Sequence, residues 1–188
     1  MNTVSRRRLL GASATLASLS VLGESAWAQA KDRLVIGMSL EPPVLDPTKN
    51  AAAAIREVTT PSIFESLGRI DRTGAIGPGL AESWSISEDG KEYVFKLRQG
   101  VKFHDGEPLD ASVVKFSLDR ARNPDLGPWA GLLGSVENVT AEGDTVTLAL
   151  KQPDPTILSI LATFNTGIMP KAAFEKAAGA TDQEKAQA

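Results

Sequence analysis

Apolar and polar positions change rhythm several times along this chain, and each change marks an element. Leu34-Val35-Ile36-Gly37-Met38 is a short continuous apolar run that predicts a buried strand. The loop Ser39-Leu40-Glu41-Pro42-Pro43-Val44-Leu45-Asp46-Pro47 follows, and its three prolines bar regular structure. Ile55, Val58, Ile63 and Leu67 fall at helical spacing within residues 51–67, with Pro61 either kinking or dividing the helix. From residue 68 to 103 the rhythm becomes that of strands. Tyr93, Phe95 and Leu97 alternate with polar neighbours and share one face of a strand. Glu88-Asp89-Gly90-Lys91 predicts the hairpin turn before it, with Gly90 in the left-handed region. Gly100 and Asp105-Gly106 mark two further turns. Asp110 reads as the N-cap of a helix to about Arg122, with Val114, Leu118 and Ala121 inward and Asn123-Pro124 as its stop. Residues 136–141 and 145–150 form a second hairpin across Glu142-Gly143-Asp144. A short helix from Pro155 to Leu161, an extended Ile168-Met169-Pro170 and a helix from Lys171 to Ala178 complete the pattern, before a frayed polar tail. The fold class is mixed α/β without strict βαβ alternation.

The first thirty residues have a different purpose. A charged start, Ser5-Arg6-Arg7-Arg8-Leu9-Leu10, leads into a weakly apolar run to Leu22. Small-x-small patterns follow at Ala26-Trp27-Ala28 and Ala28-Gln29-Ala30. This order is that of an export signal cleaved after about Ala28 or Ala30, too short to span a bilayer. The paired arginines resemble the twin-arginine type; a general secretory signal is the alternative.

Composition mainly excludes. The 188 residues are 42% hydrophobic and 23% charged, ordinary values for a globular chain. Without Arg6, Arg7, Arg8 and Glu24 the remainder carries about −5 and no basic run, which argues against nucleic acid. Cysteine is absent, which removes disulfides, thiolate metal sites, a cysteine nucleophile and a lipid-modified N-terminal cysteine. One histidine is too few for a transition-metal site, and no phosphate-cradling glycine loop or Gly-x-Ser-x-Gly elbow is present. No cofactor is expected. His104-Asp105 could be a general base and its orienter, but neighbours on a strand point to opposite faces. The structural alternative is a ring bonded to nearby backbone beside a turn. Trp84 reads as core; Trp129, in a loop after Gly127-Pro128, could pack or stack on a ligand. Arg98 ends a strand and could meet an anion; pairing with a nearby surface carboxylate is the expected role.

One stretch is specific enough to name. Leu80-Ala81-Glu82-Ser83-Trp84, Ser87 to Lys91, and Tyr93-Val94-Phe95-Lys96-Leu97-Arg98-Gln99-Gly100-Val101-Lys102-Phe103-His104-Asp105-Gly106 resemble the signature of the extracellular solute-binding protein family 5, the dipeptide, oligopeptide and nickel binders of ABC importers. Residues 113–120, 41–47, 136–151 and 169–171 also fit that pattern. The resemblance implies a periplasmic binding protein-like II fold, present in part. Residues 31–67 would begin ligand-binding lobe I, 68–167 would form an extra subdomain, and 168–188 would re-enter lobe I before the pattern stops short of the second lobe. It further implies a non-enzymatic monomer that captures a peptide or similar small molecule and delivers it to ABC permease subunits in the inner membrane. Glu41, with Pro42 and Pro43, occupies the place where an acidic residue of peptide-binding relatives meets the ligand; a solvent-exposed carboxylate in a rigid loop is the mundane alternative. An exported hydrolase using His104 and a serine, or a truncated remnant that binds nothing, are the competing functions.

Overall fold

A four-stranded antiparallel sheet forms the frame of the computed structural model, which describes residues 35–60 and 62–177. Contacts divide the chain after Gly37. Residues 35–37 carry no regular structure. The packing described below is that of the unit that begins at Met38.

Strand β3 (Ala81–Ile86) pairs with β4 (Glu92–Leu97), with Trp84 opposite Phe95. The turn between them closes because Gly90 adopts φ 68°, a conformation that other residues resist. The Asp89 carboxylate accepts from Ser87 Oγ at 2.6 Å and from the Lys91 N–H at 3.1 Å. These bonds hold its carboxyl below the ordinary range, the Ser87 hydroxyl contributing most. Strand β6 (Thr145–Leu150) pairs with β4 and with β5 (Val136–Glu142), and Gly143 turns the second hairpin at φ 58°. A smaller hairpin, β1 (Gly68–Ile70) and β2 (Ile76–Pro78), precedes the sheet.

Alternation decides which sheet face is covered. Tyr93, Phe95 and Leu97 of β4 and Val146, Leu148 and Leu150 of β6 are all buried. Each large side chain among them stabilises the fold by about 1.5–3 kcal/mol through its removal from water. Helix α2 (Ala111–Ala121) is packed against β5 and β6, burying Val114, Leu118 and Ala121. Asp110 caps it by accepting from the Val113 N–H at 3.0 Å. Deeper in the helix, Ser117 Oγ accepts from the Met169 N–H at 2.9 Å, tying the extended 168–170 segment to α2. One continuous core results, from Leu67 through the sheet to Ile168.

Three expectations change. Residues 35–38 form no strand, and Val35 and Ile36 are exposed. Helix α1 is only Ala53–Thr59, not a helix reaching residue 67. Thr60 precedes a proline, is pushed out of helical space to ψ 125°, and ends it. Helix α3 (Ile157–Ile160) is a single turn rather than the seven residues from Pro155, since Asp154 closes a turn over Thr156 with bonds of 2.6 and 3.0 Å. Helix α4 (Lys171–Ala177) forms as expected. The export signal and the tail after Ala177 lie outside the described residues.

Candidate functional site

The proline loop is two structures in sequence. Its first half, Glu41 to Leu45, carries an exposed Glu41, Pro43 and Leu45 with Pro42 and Val44 half-buried. Its second half, Asp46-Pro47-Thr48, is buried. Asp46 organises that half. Its Oδ1 accepts from the Thr48 N–H at 2.8 Å and from Thr48 Oγ1 at 2.6 Å, while Oδ2 accepts from Arg120 Nη2 at 2.8 Å. Both side chains of the Asp46–Arg120 pair are nearly closed to water, at 7% and 9% exposure. The Arg120 guanidinium also lies 4.3 Å from the centre of the Phe174 ring.

Two further contacts close on the same three residues. Trp129 Nε1 donates to the Pro47 carbonyl at 2.9 Å, and its ring meets Phe164 edge-on at 5.6 Å. Gly127 faces Thr48 so closely that a Cβ there would sit 2.0 Å from the Thr48 oxygen, which makes glycine obligatory. Trp129 is therefore a packing and anchoring residue. The base of the loop is fixed from three sides, and the proline run that rises from it has few backbone freedoms. Glu41 makes no hydrogen bond among the described residues, so its carboxylate is presented to solvent from a stiff support.

His104 does not assemble catalytic machinery. It is exposed in a turn closed by the Phe103 N–H donating to Glu107 O at 2.8 Å and the Gly106 N–H donating to Phe103 O at 3.0 Å. The Asp105 carboxylate accepts from the Glu107 N–H at 3.0 Å, so it serves the turn and leaves the imidazole alone. The ring has no hydrogen-bond partner among the described residues, which corrects the expected bond to backbone. A cleft of about 250 Å³ beside it is walled mainly by Leu80, Phe103, Leu109 and Ile168. No serine, threonine or cysteine lines it, and neither do Glu41, Pro42 or Pro43. Trp84 packs against the core with its ring 6.3 Å from Phe95. Arg98 was expected to meet a carboxylate; its Nε instead donates to the Gly79 carbonyl at 2.7 Å. No group of three candidate metal ligands occurs among the described residues, and no described helix is long and apolar enough to cross a membrane.

The Asp46–Arg120 pair is what sequence reading missed. The Asp-Pro-Thr turn is a local signal, but its partner stands 74 positions away on a helix whose apolar stripe explains it completely without Arg120.

Comparison with known proteins places the chain. The family model described as bacterial extracellular solute-binding proteins, family 5 middle, matches residues 75–187. The glutathione-binding protein GsiB of Salmonella paratyphi A is 33% identical over 169 residues, covering 89% of this chain and 31% of that relative. Among solved structures, the binding protein AgaA of A. tumefaciens R10, in complex with agropinic acid, superposes with TM-score 0.69 at 34% identity over 76% of this chain and 29% of that one. The murein tripeptide binding protein MppA of Escherichia coli gives TM-score 0.66 at 30% identity, over 72% and 30%. This chain thus spans less than a third of each of these relatives, and its fold is a part of the periplasmic binding protein architecture. The chain belongs to the family 5 bacterial extracellular solute-binding proteins.

Proposed function

We propose that this chain supplies the N-terminal portion of the solute-binding component of an ABC importer, exported to the periplasm by the twin-arginine route and released from its signal peptide. Residues 31–67 begin ligand-binding lobe I, 68–167 form an accessory subdomain, and 168–188 return to lobe I. The captured solute is a peptide or a similarly small polar molecule. Glutathione, a murein tripeptide and agropinic acid, which name three relatives, support that size and polarity. No bond is made or broken; affinity comes from enclosing the solute and from closure of two lobes around it.

The observation that carries this reading is the fixed loop. A carboxylate held out on a proline frame, whose base is locked by Arg120, Trp129 and Gly127, meets a ligand with little ordering cost. Glu41 takes the polar contact, and Pro42 and Pro43 form the apolar edge beside it. The alternative of an exported hydrolase using His104 and a serine finds no support in the His104 cleft, whose walls hold no serine, threonine or cysteine.

The test is calorimetry on a version extended to the length of its relatives, titrated with glutathione and with di- and tripeptides. One of these binds, and Glu41→Ala weakens it by about tenfold, the value of one charge-assisted hydrogen bond. Affinity unchanged by Glu41→Ala removes that residue from the site, and silence across the whole panel removes the peptide class.

A further inference from the structure

A second cleft, lined by none of the loop residues above, carries its own chemistry. It occupies about 540 Å³ beside helix α1 and the β1–β2 hairpin. Phe64, Ile70, Pro78, Leu80, Ala162 and Phe164 make its apolar walls. Arg56, Arg69 and Arg98 bring three guanidinium groups to it, against a single lining carboxylate, Glu65. In a chain with net charge −3, this is a local reversal of sign.

The three arginines are not consumed by the fold. No carboxylate lies within ion-pair distance of any of them among the described residues. Arg56 sits over the Phe164 ring at 5.8 Å, and Arg98 uses only its Nε, on Gly79. The Arg69 guanidinium makes no hydrogen bond among the described residues. The terminal nitrogens of all three therefore remain available as forks for an oxyanion. Thr60 adds an independent sign. It lines the same cleft, and its Oγ1 is buried with no hydrogen-bond partner among the described residues. A buried hydroxyl left unpaired is unfavourable, and an entering polar atom relieves it.

We propose that this cleft binds a small organic anion bearing carboxylate groups. Arg56, Arg69 and Arg98 take the carboxylates, Thr60 gives or receives one hydrogen bond, and Phe64 and Phe164 cover the organic body. A bare inorganic anion would satisfy the charges and leave the apolar walls wet, so the walls favour a ligand with carbon in it. The site shares no residue with the Glu41 loop, so its failure leaves the solute-capture reading standing, and the reverse also holds.

The experiment is calorimetric titration of the 188-residue chain with three probes: phenylsuccinate, succinate and inorganic phosphate. Phenylsuccinate binds most tightly, succinate less so, phosphate least, and raising the salt concentration weakens all three. Arg69→Gln weakens phenylsuccinate about tenfold, and Arg56→Gln with Arg69→Gln abolishes measurable binding. Arg72→Gln, which removes the same charge outside the cleft, changes affinity less than about twofold. Thr60→Val weakens binding without altering the melting temperature of the free chain downward. Absence of phenylsuccinate binding, affinity retained in the double variant, or phosphate binding as tightly as phenylsuccinate each overturns the proposal. Melting curves of every variant show whether a loss of binding is a loss of folding.

Discussion

The four-stranded sheet and the segment from Leu40 to Leu45 both carry large apolar side chains, and these meet opposite fates. Phe95, Val146 and Leu148 are at most 1% exposed, whereas Leu40 and Leu45 are 66% and 53% exposed. The sheet supplies for every inward side chain a neighbouring strand and a covering helix within about eighty residues of sequence. The front segment has no such neighbour among the described residues. Apolar character states which side chains would gain from burial; only a partner surface turns that gain into stability.

The largest expected effect follows from that contrast. Phe95→Ala opens a cavity where β4 meets β6 and costs about 3–5 kcal/mol. Leu40→Ser, an equally drastic change in polarity, shifts stability by no more than about 0.5 kcal/mol. Urea denaturation of both variants reads the difference directly. A costly Leu40→Ser would mean that the front segment is covered after all, and the comparison would collapse.

The second effect lies at the seam between the two regions. Asp46→Ala leaves Arg120 buried without its counter-charge, and the expected loss is about 3 kcal/mol. A double-mutant cycle with Arg120→Met recovers part of it, because the paired removal leaves no isolated charge behind. Additive losses in that cycle would show that Asp46 acts only through its local turn with Thr48.

How far the sequence reaches can be read from the same residues. Tyr93, Phe95 and Leu97 announce their face by alternation, Gly90 and Gly143 announce their turns, and Asp110 announces its cap, because each depends on neighbours a few positions away. The ends of α1 and α3 were harder, since the competing turn bonds of Asp154 and the pre-proline geometry of Thr60 outweigh the apolar spacing. The Asp46–Arg120 pair, the Trp129–Pro47 bond and the approach of Gly127 to Thr48 were not legible at all. They join positions some eighty residues apart, and no local pattern encodes such a meeting. For the proposed site, then, the family resemblance points to the carboxylate of Glu41 and says nothing of what fixes its loop.

The smallest expected effect separates charge from shape at a legible position. The Asp110 carboxylate accepts from Ser112 Oγ at 2.7 Å and from the Val113 N–H, and these bonds lower its pKa from the ordinary value, the Ser112 hydroxyl first. A carboxyl depressed in the folded state contributes stability above its unfolded pKa of about 3.9, and that contribution is lost as pH falls through the folded value. Asp110→Ala therefore costs about 1 kcal/mol at neutral pH, the usual worth of an N-cap. Asp110→Asn keeps a capping oxygen and stays within about 0.5 kcal/mol of the parent at pH 7. It should differ from the parent mainly in acid, where the parent loses stability below about pH 4 and the amide, having no proton to gain, loses less. Thermal melts between neutral pH and strong acid would show the two curves, close together at pH 7, separating as the pH drops; parallel curves would assign the cap's value to geometry and none of it to charge.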